Sequence, residues 1–219
     1  LSVLSPYAYI TPISLILLTF VAGSLIIAVC FSFTKYNIIT PAKFNGLFNY
    51  QKLLRDSKLR QCIMNTVKIT LMAVPLQILI STALAALIAS RKDTLLGKFA
   101  KASLFIPVLS SNAVVGTIWK AILNGGHPAV SFLFGLVGLD PTMLLCDSTS
   151  AIITLSMIIV WKSMGYYMII TLSSLMSIPD NYYEAARVDG ANSWNIFSSI
   201  TIALLKPTLI LNTFLVIIS

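Results

Sequence analysis

Charge is what this chain has least of. Of its 219 residues only 10% are Asp, Glu, Lys or Arg, and the acids number 7. A soluble domain carries about a quarter charged residues, so a water-soluble globular fold is excluded. Histidine occurs once, at His127, and the three cysteines, Cys30, Cys62 and Cys146, form no CxxC pair. No ligand set for a metal is present, and no metal or cofactor is expected. No GxxxxGK[ST] stretch occurs, so the phosphate-cradling loop of an ATPase is missing. The long apolar runs hold no Asp or Glu. A proton- or sodium-driven transporter is expected to carry such groups at membrane depth for ion coupling. A membrane-embedded enzyme would need clustered His, Asp or Ser nucleophiles, and a lone His127 does not supply them. No basic stripe with interleaved aromatics points to nucleic acid.

What the chain does have is apolar length. It is 57% hydrophobic, with mean hydropathy +0.90. About 20 apolar residues cross a hydrocarbon core. Runs at residues 7–33, 64–89, 99–123 and 149–176, with a fifth from Ile200, meet that requirement and predict an all-α polytopic bundle of at least five helices. The first run is too long for a signal-peptide core and lacks a small-residue cleavage site. Tyr7, Tyr9 and Tyr36 suit its two interfaces. The second run holds Pro75, tolerable in a membrane helix where neighbours satisfy the freed carbonyl. Its Ser81, Ala85 and Ala89 form a small-xxx-small ridge for close packing. The third holds Pro107 and then Ser110, Ser111 and Asn112 in mid-run. The fourth holds Trp161, Lys162, Gly165, Tyr166 and Tyr167, and the fifth Pro207 and Asn212. Between the first two runs, Leu53, Leu54, Leu59 and Ile63 suit a short amphipathic helix.

Two divisions follow: residues 1–63, a first crossing plus an amphipathic segment, and residues 64–219, the core. The chain begins at Leu1 and stops inside an apolar run at Ser219. A basic tail before it and at least one further helix after it are expected.

Polar groups inside the runs are the candidate translocation path: Asn112, Lys162, Tyr166, Tyr167 and Asn212. Lysine at a helix centre costs about 2.5–3.5 kcal/mol on insertion scales, so Lys162 faces a wet cavity or a partner, or snorkels to the interface. The plainer roles are interhelical hydrogen bonding for Asn112 and helix packing for the tyrosines. Charge does not orient the bundle. Residues 34–62 carry six basic residues and residues 124–148 none, whereas the opposite face has Arg91, Lys92, Lys98, Lys101 and Arg187. Those counts nearly tie under the positive-inside rule.

The most distinctive stretch lies at residues 179–199: Glu184, Ala185, Ala186, Arg187, Val188, Asp189, Gly190, Ala191. Three alanines and a glycine leave a surface almost bare of side chains, edged by Glu184, Arg187 and Asp189. The pattern predicts two short helices. Asn181 would cap the first, with Glu184 reaching back as in a capping box. Gly190 would stop it in the left-handed region, and Asn192 or Ser193 would start the second.

This stretch resembles the EAA loop of inner-membrane permease subunits of binding-protein-dependent ABC importers. In that family EAA is followed by three residues, Gly, nine residues, and I-x-L-P. Glu184, Ala185, Ala186, Gly190 and Ile200 fall in place, whereas Ile202 stands for Leu and Ala203 for Pro, which leaves the entry to the next helix open. Upstream, "GLFNYQKLL" is similar to the GLxNYxxLL of sugar-type permeases. The likeness is nearest to maltose, oligosaccharide and glycerol-phosphate permeases. It implies the type I ABC importer permease fold in the inner membrane of a prokaryote and a subunit without catalytic residues. The implied partners are a second permease subunit, two cytoplasmic ATP-binding subunits, an extracytoplasmic solute-binding protein and membrane lipid. Glu184, Ala185, Ala186, Arg187, Asp189 and Gly190 would couple to the ATPase from the cytoplasmic side. A sugar is the implied solute; glycerol phosphate or a polyol is the alternative.

Overall fold

The computed structural model describes residues 5–37, 39–91, 94–124, 128–136, 138 and 140–219. Lys92, Asp93 and His127 lie outside the described residues. The chain divides into two compact units, Leu1–Met64 and Asn65–Ser219.

The first unit opens with α1 (Ser5–Ile16), a π-helical stretch (Leu17–Ala22) and α2 (Gly23–Ser32). Together they supply an apolar span over Tyr9–Ser32. A hairpin follows, β1 (Thr34–Asn37) antiparallel to β2 (Thr40–Phe44), with Thr34 opposite Phe44 and Lys35 opposite Lys43. Next come α3 (Phe48–Leu54) and the start of α4 (Ser57–Ala89). The expected amphipathic helix of Leu53, Leu54, Leu59 and Ile63 is thus divided between the short α3 and the first turns of α4, with the hairpin ahead of it. Asp56 accepts from the Lys58 backbone N–H at 2.8 Å and starts α4 there, seven residues before the onset expected from hydropathy. A membrane helix need not end where its apolar run ends, because its polar turns continue into the headgroups.

The second unit holds the rest of α4, α5 (Leu95–Leu109), α6 (Asn112–Leu123), α7 (Pro128–Leu136) and a 3-10 turn (Pro141–Leu145). The long α8 (Ser148–Met176), α9 (Asp180–Val188) and α10 (Ser193–Asn195) come next. A π-helical stretch (Ile196–Thr201) then runs into α11 (Ile202–Ile218). Among the described residues four helices are long and apolar enough to cross a membrane, and α5 with α6 make a fifth span only as a bent pair.

The third crossing, expected at residues 99–123, is thus broken in the middle and begins earlier, at Leu95. The chain turns by 97° between α5 and α6. Ser110 and Ser111 are extended, with ψ of 140° and 150°, and the Ser111 hydroxyl accepts from the Val114 N–H to start α6. Pro107 withholds one N–H from the ladder just before the break, and two serines offer the freed backbone a polar alternative.

The core of this unit lies around α8. Ala85 and Ile88 of α4 meet Met168 and Leu172, with Leu104 of α5 packed on them. Ser81 and Ala85 are fully buried, so the small-residue ridge faces inward. Gly165 is the closest approach: a Cβ there would collide with the Leu104 carbonyl oxygen. Only glycine lets the α5 backbone lie on α8 at this point.

Candidate coupling segment and translocation path

The segment after α8 folds by local rules. Pro179 is the N-cap of α9 and makes no side-chain cap bond, with Asp180 in the first turn. This corrects the expected cap at Asn181 and its capping box with Glu184. Pro179 has fixed φ and already sits in the extended region, and Asp180 complements the positive helix start through its charge. Arg187 occupies the last turn, where a cation is favoured. Gly190 ends the helix at φ 77°. The Ala191 N–H donates to the Ala186 carbonyl at 2.9 Å and the Gly190 N–H to Arg187 at 3.1 Å, the paired bonds of a Schellman stop. Asn192 then accepts from the Asn195 N–H at 2.8 Å and starts the next helix.

The six residues do not share one environment. Glu184, Ala185, Arg187, Asp189 and Gly190 are exposed, whereas Ala186 is buried. α9 packs on the π-helical stretch 196–201, and the Tyr183 hydroxyl lies 3.5 Å from Thr201 Oγ1. Ala186 therefore serves the seat of α9 on its own chain, and Ala185 is the small residue on the outer face. Glu184, Arg187 and Asp189 make no ion pair and no side-chain hydrogen bond among the described residues. Their charged groups are exposed. Trp194, 71% exposed and 6.2 Å from Phe197 between ring centres, extends that surface with an aromatic.

The path candidates separate. Asn112 is exposed at the first turn of α6, just after the break. Lys162 is half-buried on α8 and has no anionic partner among the described residues. One residue earlier, Trp161 packs edge-on against Trp119 of α6, 5.6 Å between centres. Tyr166 is 43% exposed, while Tyr167 is buried with its ring edge-on to Tyr166 at 5.2 Å. The structure thus joins α6 to α8 through Trp119 and Trp161, leaves Lys162 half-buried and Tyr166 exposed further along α8, and turns Tyr167 into the bundle.

Asn212 is fully buried and bridges helices. Its Nδ2 donates to Thr171 Oγ1 at 3.0 Å, and Thr171 donates on to the Tyr167 carbonyl at 2.9 Å. Thr208 donates to Ser174 at 2.8 Å one turn away. Oδ1 of Asn212 and Oγ1 of Thr82 are buried without a partner. A second polar tie joins α4 to α8. Gln77 is fully buried, with its amide 2.9 Å from Ser163 Oγ. The Ser163 proton goes to the Ile159 carbonyl at 2.7 Å, so the Gln77 amide nitrogen is the donor to Ser163. Gln77, Thr171 and Gly165 carried no functional signal in the sequence; a glutamine and a glycine inside apolar runs were the available cues.

Near the start of α8, Asp140 caps the 3-10 turn. It accepts from Thr142 Oγ1 at 2.7 Å and from the Thr142 N–H at 2.9 Å. The Thr142 hydroxyl first, and its N–H second, hold the Asp140 carboxyl below the usual aspartate value.

The binding-protein-dependent transport system inner membrane component family matches residues 46–219. The lactose transport system permease protein LacF of Rhizobium radiobacter is 32% identical over 173 residues, covering 78% of this chain and 57% of that protein. The multiple sugar-binding transport system permease protein MsmF of Streptococcus mutans is 32% identical, covering 82% of this chain and 61% of that protein. This chain thus spans about three fifths of the length of these two relatives. Among solved structures, a bacterial ABC transporter involved in the import of the acidic polysaccharide alginate superposes with a TM-score of 0.74. It is 22% identical, over 96% of this chain and 71% of that one. That likeness places the fold with ABC transporter permeases. The match over residues 46–219, on a bundle of apolar helices, carries the assignment: this chain belongs to the binding-protein-dependent transport system inner membrane component family.

Proposed function

We propose that the chain is a transmembrane subunit of an ATP-driven importer of a sugar or oligosaccharide. It forms part of one translocation path with a second permease subunit. Two cytoplasmic ATP-binding subunits hydrolyse the nucleotide, and an extracytoplasmic binding protein delivers the solute. The observation that carries this reading is the α9 segment. It presents Glu184, Ala185, Arg187, Asp189 and Gly190 to the outside with their charges unpartnered, between α8 and the helix that ends at Ile218. An ATPase cleft gains ion pairs to Glu184 and Arg187, and Ala185 and Gly190 let its backbone approach closely.

Force entering α9 reaches both flanking helices, because the segment is continuous with α8 through Ser177–Pro179 and with α11 through the π-helical stretch. Rigid tilting of such helices is one of the established forms of switching between two access states. Asn112, Lys162 and Tyr166, with Trp119 and Trp161, line the path in this reading. Aromatic faces and hydrogen-bonding groups together suit a sugar. Tyr167 and Asn212 stand behind them inside the bundle. Lactose and multiple-sugar permeases among the relatives favour a sugar over glycerol phosphate or a polyol.

The test is uptake by Ala185→Arg and Glu184→Arg variants. Both positions are exposed, so insertion and folding are expected to survive. Solute uptake is expected to fall at least tenfold with the protein still in the membrane. Normal uptake in both variants would count against docking at this surface.

A further inference from the structure

We propose that residues 34–37 and 39–60 form a preorganised cationic collar that binds anionic phospholipid headgroups at the end of the first span. The collar belongs to the first unit and does not depend on ATP coupling.

The collar is built, not slack. At the C-terminal end of α2 the carbonyls run out of helical partners. Asn49 supplies them: its Nδ2 donates to the Ser32 carbonyl at 2.8 Å and to the Thr34 carbonyl at 2.9 Å. The Tyr50 hydroxyl meets Ser32 Oγ at 2.6 Å, and its ring lies 5.5 Å from Phe33. The Asn45 N–H donates to the Phe33 carbonyl at 2.8 Å. The Asn-Tyr pair of "GLFNYQKLL" is therefore a clamp. It fixes α3 and the hairpin to the point where the apolar span over Tyr9–Ser32 ends, which is the level of the headgroups.

What the clamp holds there is one-signed. Lys35, Lys43, Lys52, Arg55, Lys58 and Arg60 are all exposed, and none makes an ion pair among the described residues. The one acid of residues 1–64 is Asp56, already engaged with the Lys58 backbone. Lys35 and Lys43 are direct cross-strand partners. Like charges opposite one another on a sheet are destabilising, so the isolated hairpin works against itself. An anion between the two ammonium groups removes that repulsion. Apolar side chains stand among the cations: Ile39 is 88% exposed, Phe44 81% and Leu54 85%. Cations interleaved with large apolar groups fit a surface that is charged outside and hydrocarbon beneath. An acidic protein face would match the charges and leave the apolar groups wet.

The experiment uses the full chain with its partner subunits in vesicles of phosphatidylcholine and phosphatidylglycerol. Each lipid is supplied in turn in photoactivatable form, and adducts on residues 34–60 are counted by peptide mass spectrometry. Phosphatidylglycerol is expected to label this segment several times more than phosphatidylcholine. The K35Q/K43Q double variant is expected to lose most of that preference. The K35R/K43R variant is expected to keep it, which separates charge from hairpin folding. Equal labelling by the two lipids in the wild type, or an unchanged preference in K35Q/K43Q, would overturn the proposal. So would a segment shielded from lipid and cross-linked instead to the solute-binding protein.

Discussion

Single residues set the spacing of this bundle. Gly165 has no room for a side chain, since an added Cβ meets the Leu104 backbone. Backbone cannot step aside as a flexible side chain can. Gly165→Ala is expected to push α5 from α8 and to cost about 1–3 kcal/mol, read as earlier thermal unfolding in detergent. An unchanged midpoint would mean that the contact is slack. Gly190 is the opposite case. Nothing lies within 4 Å of an added Cβ, and only its φ of 77° resists replacement. Asp140 shows the same locality in electrostatics. Its folded-state pKa is depressed, so its contribution to the cap of residues 141–145 is complete above the unfolded value. The contribution is lost as pH falls through the folded one. Protection of the Thr142 amide from exchange, relative to its intrinsic rate, is expected to fall below that point in the wild type, and at neutral pH already in Asp140→Ala, which has no side-chain acceptor. Equal exchange in the two at neutral pH would remove the cap.

At the scale of elements, buried polar ties join α8 to its neighbours. Asn212 and Thr171 join α11 to α8 at 3.0 Å with both residues buried. Thr171→Val leaves the Asn212 amide unsatisfied, and Asn212→Leu leaves the Thr171 hydroxyl without its incoming bond. A buried polar group left alone costs more than a pair removed together. The double variant is therefore expected to be less destabilised than the two single changes summed, with a coupling of about 0.6–1.7 kcal/mol. Strict additivity in a double-mutant cycle on unfolding in detergent would show that the tie carries nothing.

Elements were unequally legible in the sequence. The spans follow from apolar length, and the Gly190 stop and the Asn192 cap follow from residue chemistry. The break at Ser110 and Ser111 was visible as polarity inside a run, but polarity does not report an angle. Residues 34–44 read as a polar interval because strand pairing depends on a partner strand, which period alone does not show in so short a segment. At α9 the Asn181 and Glu184 spacing fitted a capping box, and proline geometry two residues earlier prevailed.

At the scale of the molecule, the chain is a polytopic inner-membrane component whose family is shown over residues 46–219. Its charged groups are few, and three of them, Lys68, Lys162 and Lys206, lie within the helices α4, α8 and α11. The sequence pattern of residues 184–190 resembles a coupling loop, yet it does not say which alanine faces outward. The fold makes the choice, with Ala185 outward and Ala186 inward.

The central claim is that the outer face of α9 receives an ATP-binding subunit. The direct measurement is cross-linking from Ala185→Cys, with Cys30, Cys62 and Cys146 replaced by serine, in the assembled importer. Covalent capture of the ATP-binding subunit, with a yield that changes on adding nucleotide, is the result expected. Contradiction would come from a cysteine at 185 that captures no ATP-binding subunit and is labelled from the cell exterior by a membrane-impermeant reagent.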